Sequence, residues 1–407
     1  MIRVLHAADL HLGSTFKGLP DGAAWPAATA KATLRAFTRL VELALAEKVD
    51  ALLLAGDVFD ERDRPLDAHL HLFDELSRVS AAGIPTFVVH GNHDPLGPGQ
   101  RWPAGVTVFG PQWSEHLVLG PHGETRFRVQ GMSYPAREVR ENLALRFKRQ
   151  GTEPTIGLLH ANLSDWPGHA NYAPCTAADL DRAQLDYWAL GHVHTRGEVA
   201  LPHGGLAAYP GNLQGRHHQE LGPRGALLVE LDDQTTPRAR TTFVPLGVVQ
   251  WERLEVSIDG LEGPEELAGR ATAALDALPP FDGYRAVRVA LTGAGPVHHQ
   301  LERAEAVEAL EASLREVLLR RQAALERVDD GTRPQLDLDR LVASGGYTGE
   351  LARLLLKPGN GEWVKREALE PLQVALGRAQ LEPLELSALL EPALKAALDA
   401  LLEDGAP

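Results

Sequence analysis

Asp9-x-His11 sets a carboxylate and an imidazole two residues apart, a spacing that lets both converge on one ion when it stands at the end of a strand. Asp57 lies in Gly56-Asp57-Val58-Phe59-Asp60, where the glycine removes a Cβ at a point of close backbone approach. Gly91-Asn92-His93-Asp94 supplies a neutral oxygen donor and a further imidazole. His160 stands alone, and Gly191-His192-Val193-His194 adds two imidazoles. Oxygen and nitrogen donors without a thiolate point to Mn²⁺, Fe²⁺ or Zn²⁺ and away from a structural zinc. Asp9, His11, Asp57, Asn92, His160, His192 and His194 are too many for one ion, whereas a pair of ions sharing Asp57 would use them all. Two ions about 3.5–4 Å apart can activate a bridging water and stabilise both oxygens of an in-line phosphoryl displacement.

Such donors need short strands that end together. Val4–Ala8, Ala51–Ala55 and Thr86–His90 are apolar runs that stop at Asp9, Asp57 and Asn92. Helical spacing is predicted over 27–47, with Leu34, Phe37, Val41 and Leu45 on one side, and again over 67–81. Strand, helix, strand, helix, strand implies parallel pairing with helical crossovers, and polar residues past the strand ends stand where open α/β sheets hold ligands. Thr155–Leu159 ends at His160, Tyr187–Leu190 ends at Gly191-His192, and Gly225–Leu231 reads as a closing strand. Pro- and Gly-rich loops from Pro95 to Pro103 and from Trp166 to Pro174 are expected to roof the site.

Near residue 248 the character changes. A strand over 251–256, a helix over 262–278 and a strand over 284–291 outline a small α+β unit, followed by a long helix over 300–327. Residues 341–405 read as Leu/Ala/Glu-rich helices broken at Pro358, Pro371, Pro383 and Pro392. The expected domains are therefore 1–248, 249–335 and a helical 336–407 that could dock a partner.

The chain has 407 residues and a net charge of −15, which argues against an extended basic grip on nucleic acid. The excess is uneven: residues 251–407 hold 28 acidic and 17 basic side chains, leaving 27 and 23 in 1–250. A local basic groove beside bound cations remains open in the first part. Nothing approaches the run of about 20 apolar residues that a membrane helix needs. The start shows no secretory pattern, and a single cysteine, Cys175, suits a reducing cytoplasm. His6, His90, His298 and His299 read as structural or solvated, and Asp60 and Asp63 as loop caps.

Five motifs, Asp9-x-His11, Gly56-Asp57, Gly91-Asn92-His93-Asp94, His160 and Gly191-His192-x-His194, occur in the order of the calcineurin-like metallophosphoesterases, which the chain resembles. The resemblance implies that family's β-sandwich flanked by helices. It also implies that Asp9, His11 and His194 hold one metal, Asn92, His160 and His192 the second, and Asp57 both. His93 would then protonate the leaving oxygen or stabilise charge at phosphorus, and Asp94 would orient it.

Leu5-His6-Ala7-Ala8-Asp9-Leu10-His11-Leu12-Gly13 looks like the opening of SbcD-type repair exonucleases, as does Tyr209-Pro210-Gly211-Asn212. The continuation through Arg216, His217 and His218 is closer to a YhaO-like branch. The expectation is a Mn²⁺-dependent DNA exonuclease, with single-strand endonuclease activity also open, that works with an SMC-like coiled-coil ATPase. Tyr209, Asn212, Arg216 and His217 are its candidate substrate contacts, and a homodimer is left open. The alternatives are a phosphatase or phosphodiesterase for small molecules and a catalytically silent DNA-binding subunit.

Overall fold

Apolar alternation sorts the first strands between two cores. In Ala51–Ala55 (β2), Leu52 and Leu54 pack on one side with Leu5 and Ala7 of Ile2–Ala7 (β1). Ala51, Leu53 and Ala55 pack on the other with Val4. Successive side chains of a strand point to opposite faces, so a strand buried on both sides reads as an unbroken apolar run. The structure is a computed structural model, and it describes residues 1–16, 31–60, 65–95, 101–163, 172–232 and 238–334, together with 340, 342, 343 and 349. Nearly all of the expected helical region 341–405, Asp63 and most of the loops from Pro95 to Pro103 and from Trp166 to Pro174 lie outside the described residues.

From β1 the chain runs through α1 (Ala32–Glu47), β2, α2 (Leu66–Ala81), β3 (Thr86–Val89) and β4 (Val106–Val108). It continues with β5 (Ser114–Leu119), β6 (Thr125–Met132), β7 (Thr155–His160), α3 (Ala177–Arg182) and β8 (Tyr187–Gly191). Then come β9 (Gly197–Ala200), β10 (Leu206–Tyr209), β11 (Gly225–Leu231) and β12 (Ala239–Pro245). One six-stranded sheet has the order β12-β11-β1-β2-β3-β4 and the other β5-β6-β7-β8-β10-β9. β1, β2, β3 and β4 pair in parallel, as do β6, β7, β8 and β10, so their C-terminal ends lie on the same side of each sheet.

The sheets face each other across Phe87, Val89, Phe109, Phe127, Ile156, Leu158 and Val229. Helices α1 and α2 cover the outer face of the first sheet through Phe37, Leu40, Val41, Leu72 and Leu76. Leu180 of α3, with Leu143 and Phe147, covers the second sheet over Leu159, Trp188 and Leu190. Thr176 caps α3 by accepting from the Asp179 N–H at 3.2 Å, while Asp179 accepts from the Thr176 N–H at 3.0 Å. His6 is buried between the sheets against the Tyr187 hydroxyl at 2.8 Å, and burial pushes its pKa down to about 3, so it is a neutral core residue.

By contacts the described chain forms two compact units. One comprises Met1–Arg253, Pro279–Arg288 and Leu318–Arg327, and the other Leu254–Leu278, Val289–Val317 and the described residues from Val328. The later elements are β13 (Val249–Ser257), α4 (Leu267–Asp276), β14 (Tyr284–Thr292), α5 (Val297–Leu301), α6 (Ala304–Leu319) and β15 (Ala323–Asp330), and the three strands form a third sheet of order β13-β14-β15. The single helix expected over 300–327 is thus two helices and a strand. Gln322 turns left-handed, at φ 54°, and ends the helical path, after which Ala323 and Leu325 are buried in strand alternation. Leu325 continues the helical spacing of Leu310 and Leu314, which is why periodicity alone absorbs it into the helix.

Phe87 is fully buried between the sheets, 6.1 Å from the Phe109 ring and 5.1 Å from the His116 ring. Phe87→Ala is expected to cost about 3–5 kcal/mol in a urea titration, and a loss below about 1 kcal/mol would contradict this core.

Candidate metal centre

The strand ends bring the chemistry-bearing residues of both sheets to one place. Asp9 and His11 follow β1, Asp57 and Asp60 follow β2, and Asn92, His93 and Asp94 follow β3. His160 closes β7, and His192 and His194 follow β8. The loops are tied across the first sheet by the Asp9 N–H donating to Gly56 O at 3.1 Å and the His11 N–H donating to Asp57 O at 3.0 Å. Backbone strain concentrates here: Asp9, His11, Asp57 and His192 have φ of 51°, 43°, 51° and 102°. Left-handed conformations of non-glycine residues cost on the order of 1–3 kcal/mol each and persist where the surroundings overdetermine them. Two glycines let the sheets approach. A Cβ on Gly56, at φ 89°, would lie 2.4 Å from His160 Nδ1, and one on Gly191 would lie 1.8 Å from the Ala55 carbonyl oxygen.

Hydrogen bonds fix which nitrogen is free in three of the imidazoles. The Nδ1–H of His160 donates to Ala55 O at 2.9 Å, that of His11 to Asp60 Oδ1 at 2.8 Å, and that of His194 to Glu220 Oε1 at 2.7 Å. Each Nε2 therefore keeps its lone pair, as a metal ligand must. Burial pushes the pKa of His160 down to about 4, and those of His11 and His194 also lie below the usual value through burial. Neutral imidazoles result. His11 Nε2 lies 3.4 Å from His194 Nε2, which in turn lies 3.8 Å from Asp9 Oδ1. Asn92 Oδ1 lies 3.1 Å from His160 Nε2 and 3.2 Å from His192 Nδ1, and Asp57 Oδ2 lies 3.5 Å from His160 Nε2.

These groups repel one another without a cation. Asp9 and Asp57 are each 1% exposed, and among the described residues their ion-pair partners are imidazoles. Burial, then the neighbouring Asp57 charge, lifts the Asp9 pKa well above the carboxylate range. Burial and Asp94 raise Asp57 to about 7. Each carboxylate accepts a backbone N–H: Asp57 Oδ1 from His93 at 2.9 Å, and both Asp9 oxygens from His192 at 3.1–3.2 Å. Donor atoms of Asp9, His11 and His194 lie within 4.8 Å of one another, as do those of Asp9, Asp57 and His160. Carboxylates and imidazoles converging in this way fit divalent cations, two of which could share the space around Asp57.

His93 stands at the rim, with 48% of its side chain exposed, and its Nδ1 lies 3.0 Å from Asp60 Oδ1. Asp94, expected to orient His93, is instead committed to the backbone. Its carboxylate accepts the N–H groups of Gly91 at 3.0 Å and Val58 at 2.9 Å, bracing the loops after β3 and β2. Asp60, expected to cap a loop, is the carboxylate that holds His93, and it also meets His11 and Arg216. Burial raises its pKa, but hydrogen bonds from His11 and His93 more than offset this and keep it ionised. The Asp60 hydrogen bond raises His93 above its usual value against the opposing effect of burial.

Residues 209–216 are buried, while His217 and His218 are half-buried. The Tyr209 hydroxyl donates to Ala161 O at 2.8 Å and accepts from the Leu163 N–H at 3.0 Å. Asn212 donates to Gln214 O at 2.8 Å and accepts from Arg224 at 3.0 Å. Buried Arg216 donates to Asp60 Oδ2 at 2.9 Å. Tyr209, Asn212 and Arg216 are thereby bonded into the frame of the site. His217, with 28% of its side chain exposed, lies 3.3 Å from Glu220. Glu220 is the residue that motifs miss. A lone glutamate in a loop carries no spacing signal, yet it accepts from His194 and from the Arg216 N–H at 2.6 Å. Burial raises Glu220, but hydrogen bonds from His194 and His217 pull it below the usual range.

Comparison with known proteins agrees with this geometry. Residues 2–196 match the family model described as calcineurin-like phosphoesterase, and residues 251–333 match that of the metallophosphoesterase YhaO middle domain. The chain is 36% identical over 300 residues to the uncharacterized metallophosphoesterase YhaO of Bacillus subtilis, covering 72% of each protein. It is 28% identical over 221 residues to the DNA double-strand break repair protein Mre11 of Sulfurisphaera tokodaii, covering 52% of this chain and 53% of that one. It is 35% identical over 162 residues to an SbcCD nuclease subunit of Rhodobacter capsulatus, covering 39% of this chain and 38% of that one. The match thus spans about half of that Mre11 protein and less of the SbcCD protein.

Glu220→Gln keeps the shape at that position but removes the charge that fixes the His194 tautomer. Isothermal titration of Mn²⁺ into chelator-stripped protein should show affinity about 10–100-fold weaker in this variant. Unchanged affinity would show that Glu220 does not set the ligand.

Proposed function

The chain belongs to the calcineurin-like metallophosphoesterases, and from that membership we propose that it is a Mn²⁺-dependent nuclease that hydrolyses phosphodiester bonds at DNA ends. The observation that carries the chemistry is His93, half-exposed beside a buried donor set and held by Asp60 at 3.0 Å. We assign Asp9, His11 and His194 to one ion, Asn92, His160 and His192 to the other, and Asp57 to both. When bound, the ions supply Lewis acidity at the phosphoryl oxygens and an activated water.

The chain's own groups do the rest. With Nδ1–H engaged by Asp60 and its pKa raised, His93 offers a proton from Nε2 to the departing sugar oxygen. Arg216 offsets the negative charge of Asp60 and Glu220 without taking a ligand position. The frame around Tyr209 and Asn212 keeps the strand ends in register with His194.

DNA as substrate is supported by the names of the Mre11 and SbcCD relatives, and an SMC-like ATPase is the partner class we propose with it. The concentration of negative charge in 251–407 leaves the first 250 residues as the part that meets DNA. Among the described residues, no helix is long and apolar enough to cross a membrane.

His93→Ala should retain Mn²⁺ and lose about 10²–10⁴-fold in the cleavage of end-labelled duplex DNA. Cleavage at the wild-type rate would remove His93 from the chemistry. If the loaded wild-type protein hydrolysed a nitrophenyl phosphodiester but left duplex DNA intact, the small-molecule reading would replace the nuclease.

A further inference from the structure

A second group of metal-binding side chains lies wholly within the other compact unit. His298, His299 and Glu302 present one donor atom each, all within 4.8 Å of one another. His298 and Glu302 are four residues apart and His299 and Glu302 three apart, spacings that face each other over one helical turn. His298 Nε2 lies 3.9 Å from Glu302 Oε1, and His299 Nδ1 lies 3.6 Å from Glu302 Oε2.

An independent observation shows that His298 is oriented for this role. Thr332 Oγ1 donates its proton to Asp330 Oδ1 at 2.7 Å, so toward His298 Nδ1, 2.9 Å away, it can only accept. His298 therefore carries its proton on Nδ1, and the Nε2 lone pair faces Glu302. This is the device that sets His11 and His194, with a hydroxyl and a carboxylate in series as the outer group. The side chains of His299 and Glu302 are 65% and 61% exposed, so an ion reaches them directly from solvent. Buried Val297 and Leu301 anchor the opposite side of α5, a helix of five residues that is too short to stand alone. The surrounding sequence is acidic and draws cations.

We propose that His298, His299 and Glu302 form a binding site for a divalent transition ion, Zn²⁺ foremost, that clamps α5. Two imidazoles and one carboxylate suit Zn²⁺ and leave a coordination position for water. The site is separate in sequence and in compact unit from the donors around Asp57.

The test uses full-length protein dialysed against buffered Zn²⁺, with metal content measured by mass spectrometry. Wild type is compared with the double variant His299→Ala/Glu302→Gln, whose exposed positions should leave the far-ultraviolet dichroism unchanged. Wild type should hold one more Zn²⁺ per chain than the variant, and excess Zn²⁺ should raise its unfolding midpoint above the variant's. Equal Zn²⁺ content in the two proteins would overturn the proposal. Because the readout is a difference, the result stands whatever number of ions the donors around Asp57 hold.

Discussion

Two imidazole nitrogens that carry lone pairs, His11 Nε2 and His194 Nε2, face each other 3.4 Å apart. Asp60 and Glu220 hold the protons on the far side of each ring, so neither can relieve the contact by donating. Buried Asp9 and Asp57 stand beside them, their carboxyl pKa values raised by burial and by neighbouring negative charge. Such an arrangement is unfavourable in a low-dielectric interior unless a cation occupies it. The site is thus assembled for positive charge before any arrives, and its folding cost is recovered on binding.

That cost falls on the rest of the molecule. Four residues of the site hold left-handed backbone, and Gly56 and Gly191 give up side chains so that the ends of the two sheets can meet. What sustains the strain is the apolar material behind it, with Phe87, Phe127, Ile156 and Leu158 between the sheets and α1 and α2 outside. Asp94 extends this support by joining two donor-bearing loops through their backbone N–H groups. Electrostatic function and structural support meet in Asp60, which steadies His11 and His93 while Arg216 balances its charge.

Much of this was legible in residue types. Strands buried on both faces announce themselves as apolar runs, and polar residues at or just past their ends, such as His160, Asp9 and Asp57, mark where those ends converge. The groups behind the ligands were not legible. Glu220 meets His194 across 26 positions of chain, a contact that no local pattern encodes. Asp94 follows His93 directly in the sequence, yet adjacency misleads because its side chain turns to the backbone and Asp60 arrives from another strand. Tyr209 and Arg216 look like ligands of a substrate when read by type, but the Tyr209 hydroxyl is bonded to Ala161 and Leu163 and the Arg216 guanidinium to Asp60. The strand at Ala323–Asp330 was hidden because leucine spacing suits a helix until Gln322 reverses the backbone.

In the proposed site these donors hold two ions with Asp57 between them. Anomalous diffraction from crystals of the full chain grown with Mn²⁺ tests it most directly. Two peaks about 3.5–4 Å apart, both within bonding distance of Asp57, are the predicted result. A single peak, or a pair that Asp57 does not touch, would contradict it.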